Sequence, residues 1–355
     1  MPYVTGEHNC LEYDTAARVA RELKTLYAAT PAQQESMPTD DKIGSPQLVK
    51  SLDDAPRHDI TAAAHVATVY AVDGGSAVVG YGGLAEVIAW RAGMVCFRDR
   101  VRLREQCSPP EVVAYDRSAA ADIVREYAAD IPGGYNPSVP ARAVDDLRWL
   151  AEWRLLESLI EDAESDSLVL VDGSLRGHPA FNLEHQRRLM RLATERKIHV
   201  AAVTKQSSLS VNNSLPLDSR MGDTAPKDAG TGLWYRRLNR DLPETSGWLG
   251  NIYLAQLHSY ADKPYRIDIN RYDDDIDDVF AALVSISDDI EFAGYPYPLA
   301  AAHRLARIDG ILRNHICETL ERALEHIDFP RELWHYLSGD AHDRLNADLL
   351  DTTIP

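Results

Sequence analysis

Two apolar, β-branched runs about a hundred residues apart each lead into an Asp-Gly step. Ala67-Thr68-Val69-Tyr70-Ala71-Val72 runs into Asp73-Gly74-Gly75-Ser76, and Ser167-Leu168-Val169-Leu170-Val171 runs into Asp172-Gly173-Ser174. Each run predicts a buried strand ending in a carboxylate, after which glycine lets the backbone turn or approach another group closely. Neighbouring strands lie ~5 Å apart, so pairing of these two would set the carboxylates side by side. A divalent cation suits that arrangement. A pair of Asp-Gly loops also clamps phosphate, and the twin motif alone leaves both open.

The surrounding pattern is that of an α/β chain. Thr15–Leu26 reads as a helix, and a polar Pro/Ser/Asp-rich segment follows from Pro31 to Pro56. Beyond the Asp73 strand come a Gly-rich turn (Gly80, Gly82, Gly83) and two further strands, Leu84–Arg91 and Met94–Arg98, the outline of a meander. Helices are expected at Arg117–Tyr127, Val144–Glu164 and Asn182–Lys197, with a loop at Asp130–Pro137 and a strand at Ile198–Val203. Gln206–Gly247 reads as a loop-rich insertion. Strands at Ile252–Leu257 and Tyr265–Ile269, a helix at Asp277–Ser287 and a last helix from Leu299 towards His326 complete the pattern. A meander followed by β-α-β units, with acids on its first strand and on the next core strand, is the layout of a ribonuclease-H-like mixed sheet flanked by helices. The expected division is an N-terminal segment 1–60, a main domain 61–330 with its insertion at 206–250, and a tail 331–355.

A cation between Asp73 and Asp172 asks for a third acid on a neighbouring helix. At ~100° per residue, Leu156, Leu159 and Ala163 mark the apolar stripe of Val144–Glu164 and Glu152 falls within it, whereas Glu157 and Glu161 lie on the polar side. A core-facing glutamate is costly unless paired or metal-bound; a solvated acid near the helix start is the plainer alternative. Three converging carboxylates would favour Mg²⁺ or Mn²⁺ over zinc. Lys205, at the end of a strand in Val203-Thr204-Lys205-Gln206-Ser207, is placed to meet phosphate or to lie solvated. His303 points away from the core face of the last helix. The Asp273–Asp278 run lacks the sixth-position glycine and twelfth-position acid of a calcium loop and reads as a solvated helix N-terminus. No Walker-type or GxGxxG loop is present.

Composition sets the remaining bounds. The formal net charge is −18, with 55 acidic against 37 basic residues. Such a balance argues against nucleic acid as a ligand, unless the chain is adapted to high salt, where screening tolerates self-repulsion. The acids are spread along the whole chain, which favours salt adaptation and leaves only local basic patches informative: Arg148, Arg176, Arg187, Arg188, Arg304 and Arg307. The four cysteines (Cys10, Cys96, Cys107, Cys317) form no CxxC pair and read as incidental thiols. No apolar leader or membrane span is evident, so a soluble cytoplasmic protein is expected.

AVDGGS, Arg148-x-x-x-Glu152, LVLVDGSL, VTKQS and GYPYPLAAAHRLARI, in this order and spacing, resemble the NurA family of archaeal and bacterial nucleases, and the acidity resembles that of a halophilic member. The resemblance implies a ribonuclease-H-like homodimer and a Mn²⁺-dependent (or Mg²⁺-dependent) 5′-to-3′ exonuclease that also cuts single-stranded DNA. It further implies work with the hexameric HerA ATPase in processing DNA ends for recombinational repair. Asp73, Glu152 and Asp172 match the metal-binding acids, while Lys205, Tyr295 and His303 match further active-site positions. VTKQS departs from the SKTS-like form of the family at Gln206 and Ser207. On this reading Lys205 neutralises phosphate charge, Tyr295 steadies or stacks on DNA and His303 donates to phosphate or shuttles a proton. The glycines after Asp73 make room for the DNA backbone. The alternatives are an actin-like or sugar-kinase-like phosphotransferase, whose further Gly-Thr element is missing, and a non-catalytic translocase adaptor.

Overall fold

Both glycines after Asp73 continue the strand instead of ending it. The structure is a computed structural model and describes residues 11–28, 55–61, 68–82, 85–136, 139, 141–205, 207, 232–240, 242–243 and 246–339. Helix α1 (Tyr13–Ala28) and the short β1 (Arg57–Asp59) precede β2 (Val69–Tyr81), in which Asp73 is an internal residue. Gly74 and Gly75 are not among the residues with positive φ. The two strands expected at 84–98 are one, β3 (Ala85–Arg98), because Ala92 and Gly93 stay extended and pair with Gly74 and Asp73. β4 (Val101–Cys107) and β5 (Glu111–Asp116) both pair with this long strand.

Then follow α2 (Ala120–Tyr127), α3 (Ala143–Asp162), β6 (Leu168–Asp172), α4 (Leu183–Glu195) and β7 (His199–Thr204), close to the expected spans. The insertion contains a strand that composition hid, β8 (Trp234–Arg237), which pairs with β1 and with β9 (Gly250–Gln256). β10 (Tyr265–Asn270) and α5 (Ile276–Ser285) come next. The last expected helix is two, α6 (Tyr297–Ala306) and α7 (Gly310–Glu325). Arg307 is extended there, and Asp309 caps the new helix by accepting from the Leu312 amide at 2.9 Å. α8 (Arg331–Ser338) lies in the expected tail and buries Trp334 and Leu337 beside α1 and α7.

Among the described residues the strands form one ten-stranded mixed sheet, β1-β8-β9-β10-β7-β6-β2-β3-β4, with β5 also on β3. β2, β6 and β7 are parallel at its centre and the flanking pairs are antiparallel. Strands buried on both faces read as continuous apolar runs, as LVLV does. Alternation then sorts the side chains. Val69, Ala71, Leu168, Leu170, Ala201 and Val203 face α5 and α6, while Val169, Val200 and Ala202 face α3 and α4. The fold is thus a mixed α/β, ribonuclease-H-like sheet with helices on both faces.

One strand carries charge where apolar residues are expected. Arg266 and Asp268 of β10 form a buried two-pronged ion pair (2.8 and 2.6 Å), with Asp268 fully buried. Asp268 also accepts from the Leu175 amide (3.1 Å), and Arg266 donates to Ser207 Oγ (3.3 Å). The pair therefore ties down the loop after Asp172 and the chain just past Lys205. Removing one partner strands the other charge, so Asp268→Ala should cost about 3–5 kcal/mol. Chemical denaturation of the variant measures this, and a loss below about 1 kcal/mol would contradict the assignment.

Candidate metal centre

The register of the central parallel pair builds the site. Val69 pairs with Leu168 and Val72 with Val171, so one further step sets Asp73 beside Asp172. Both continue the alternation 69-71-73 and 168-170-172, and therefore point to the face covered by α6. From that helix the His303 ring comes down, its Nδ1 2.7 Å from Oδ2 of Asp73. One ligand atom each from Asp73, Asp172 and His303 can be chosen so that all lie within 4.8 Å of one another.

Glu152 reaches the site from the opposite face. Gly74 follows the alternation towards α3, and a Cβ there would lie 2.7 Å from Cγ of Glu152 and 2.9 Å from Cγ of Arg148. The missing side chain gives both residues their place against β2. Gly75, one residue on, faces α6, where a Cβ would lie 2.9 Å from the carbonyl carbon of Ala306. The expected role of these glycines as room for a DNA backbone is corrected: helices already fill the space beside them. Arg91, paired with Gly75 across the sheet, donates to the carbonyls of Ala306 (2.9 Å) and Arg307 (2.7 Å) and so caps the end of α6.

Each of the three acids meets one basic side chain. Glu152 accepts from Nη1 of Arg148 at 2.8 Å, Asp172 accepts from Nζ of Lys205 at 3.0 Å, and Asp73 contacts His303. Asp73 also accepts from the Gly74 amide (2.7 Å), and Asp172 accepts from the Tyr295 hydroxyl (3.1 Å). Tyr295 is only 5% exposed, so its ring offers no face to a base; its hydroxyl steadies Asp172 instead. His303, expected to point away from the core, is 46% exposed and yet holds Asp73. Ser207 contacts Arg266, and Gln206 lies outside the described residues.

Burial and mutual repulsion set the electrostatics. Asp73, 3% exposed, is held above the usual carboxylate range by burial and then by Asp172, against the opposing contact with His303. Burial pushes Glu152 up to about 7; Arg148 opposes the rise and Asp73 and Asp172 add to it. Burial, followed by the charge of Asp172, raises the Tyr295 phenol far above its ordinary value.

The donor set fits a divalent cation: two carboxylates and an imidazole within reach of one point, with a third carboxylate entering beside Gly74. Two acids of this set were legible in the twin Asp-Gly motif, and Glu152 in the helix face. Arg91, Arg266 and Asp268 were not singled out. Their signal is a charged side chain at alternating positions inside an otherwise apolar strand, as in Tyr-Arg-Ile-Asp-Ile. Other expectations change as well. Asp273 is not solvated but buried, 2.8 Å from His199. Arg187 is turned into the protein towards the Ser246 carbonyl, whereas Arg304 and Arg307 stay exposed beside His303. Cys96, Cys107 and Cys317 are free thiols. Among the described residues no helix is long and apolar enough to cross a membrane.

Fold and site together define a ribonuclease-H-like α/β protein with a carboxylate centre beside its central strands. The NurA domain model matches residues 227–308, which span β8 to the end of α6 and include Tyr295 and His303. The crystal structure of the NurA nuclease from Sulfolobus solfataricus is similar over 79% of this chain and 90% of that one, at 15% identity and a TM-score of 0.53. The expected resemblance to the NurA family is met over residues 227–308. The catalytic domain of human endonuclease V is a weaker likeness, at 13% identity over 75% of this chain and 86% of that one, with a TM-score of 0.35. No curated protein sequence matches the chain.

The raised Glu152 carboxyl predicts a pH dependence. Between its ordinary value of 4.5 and about 7, the folded state holds a proton that the unfolded state has lost. Stability of the metal-free protein should therefore fall as pH rises through that window. Glu152→Gln should flatten this fall, as read from denaturation midpoints at about pH 5 and about pH 8. An unchanged slope would exclude Glu152 as its source.

Proposed function

We propose that the protein is a divalent-metal-dependent DNA nuclease. The carrying observation is the convergence of Asp73, Asp172 and His303 ligand atoms within 4.8 Å on one face of the sheet. Asp73, Asp172 and Glu152 are the candidate metal-binding acids, and the position of His303 adds an imidazole to the set. A divalent cation held by these residues would supply Lewis-acid polarisation of a phosphodiester and activation of water. Mn²⁺ accepts mixed carboxylate and imidazole donors more readily than Mg²⁺, which supports manganese as the working ion.

The side chains divide the remaining work. Lys205, 43% exposed at the rim, neutralises phosphate charge once it shares Asp172 with a cation. Tyr295 and the Gly74 amide orient the two aspartates. His303 sits between Asp73 and solvent, where it can ligate or pass a proton. The covered glycines speak against the phosphotransferase alternative, since Asp73-Gly74-Gly75 is a strand packed under two helices and not an open phosphate loop.

The finer reading rests on family resemblance: 5′-to-3′ exonuclease and single-strand endonuclease activity, a homodimer, and DNA end resection with a HerA-type ATPase in the cytoplasm of a halophile. The net charge of −18 is consistent with operation at high salt.

Loss of outer contacts at metal sites lowers affinity or activity about 10–100-fold, and loss of a ligand costs at least as much. Asp73→Asn and Asp172→Asn should therefore each lose at least about a hundredfold in Mn²⁺-dependent cleavage of 5′-ended and single-stranded DNA. Full activity in either variant would sink the proposal.

A further inference from the structure

Arg148 is placed where a metal centre has no need of a cation. Its side chain runs along Gly74, its guanidinium donates to Oε1 of Glu152 at 2.8 Å, and the charge of Asp73 acts on it. Arg148 and Glu152 are one helical turn apart on α3, so the pair forms without moving the backbone. The Glu152 side chain is 12% exposed and that of Arg148 is 36% exposed, so the glutamate is enclosed and the arginine reaches the surface. Glu152 is absent from the convergent set of ligand atoms, although it packs directly beside Gly74. It stands on the α3 side of β2, paired with Arg148.

We propose that Arg148 is a resident counter-cation that a divalent metal must displace from Glu152, and that the freed guanidinium then binds a phosphate of the DNA substrate. Three carboxylates near one point repel one another, and an enclosed glutamate needs a cationic partner whenever it is ionised. In the metal-free protein that partner is Arg148. With a cation at Asp73 and Asp172, Glu152 would exchange its contact with Arg148 for the cation. The freed guanidinium of Arg148, whose side chain is already 36% exposed beside Gly74, would be open to a phosphate. A guanidinium binds phosphate with two parallel donors, which a lysine cannot reproduce. The exchange couples the order of events: phosphate finds its arginine only after metal has entered.

This inference rests on the nuclease reading, and its test separates the two. Mn²⁺ binding is measured by calorimetry on the full chain for wild type, Arg148→Met, Glu152→Gln and the double variant, with folding checked by circular dichroism. Arg148→Met should bind Mn²⁺ severalfold more tightly than wild type, because a competitor for Glu152 is gone. That gain should vanish in the Glu152→Gln background, as a double-variant cycle reveals. The same Arg148→Met protein should lose about tenfold or more in kcat/KM on DNA, and Arg148→Lys should recover only part of it. Weaker or unchanged Mn²⁺ binding in Arg148→Met overturns the inference, as does a gain that persists without Glu152. Wild-type protein that binds no Mn²⁺ overturns the metal reading itself.

Discussion

Two carboxylates side by side in a sheet repel each other, and the fold around them is arranged to make that tolerable. The parallel pairing of β2 with β6 fixes their adjacency, since one residue of slip would send one aspartate to the other face. Asp73 is buried and held above its ordinary carboxylate range by that burial and by Asp172. The site then supplies His303, Lys205, Tyr295 and the Gly74 amide to these two acids from four separate segments. Helix α6 delivers His303, the turn before it delivers Tyr295, and β7 ends one residue before Lys205.

The two glycines after Asp73 show how a strand admits helices at close range. Gly74 opens the α3 face to Arg148 and Glu152, and Gly75 opens the α6 face to the Ala306 carbonyl. Because successive residues point to opposite faces, a Gly-Gly pair thins the sheet on both sides at one level. Arg91 completes the α6 side by bonding the last carbonyls of that helix. Asp268 and Arg266 hold the loop that follows Asp172. Three residue types that look unrelated in the sequence therefore serve one purpose, the placement of carboxylates and their partners.

Much of this was readable in the sequence, and the misses have physical causes. Twin apolar runs ending in Asp-Gly gave the central strands, and helical periodicity gave Glu152. The first strand is expected to end at Asp73 and a break is expected at Ala92-Gly93, because glycine weakens a strand locally; pairing across the sheet keeps Gly74-Gly75 and Ala92-Gly93 extended, and the third strand of the meander is β4. β8 went unseen because Trp-Tyr-Arg-Arg is short and sits in a polar stretch. The division of the last helix at Arg307–Asp309 was missed because the apolar period passes through it unbroken. The Tyr295 hydroxyl and the Arg91 cap depend on contacts between distant segments, which local pattern does not carry. The sequence motif also could not separate a metal centre from a phosphate clamp. Helices packed over Gly74 and Gly75 speak against a phosphate clamp at the first of the two Asp-Gly steps.

The central claim is that Asp73 and Asp172 hold a divalent cation. Crystals of the protein soaked in Mn²⁺ and measured at the manganese absorption edge test it directly. The account predicts an anomalous peak between the two aspartates, within ligand distance of both, with Glu152 turned from Arg148 towards it. Full Mn²⁺ occupancy elsewhere, for instance beside Asp273 and Asp274, with no peak between Asp73 and Asp172, would contradict it.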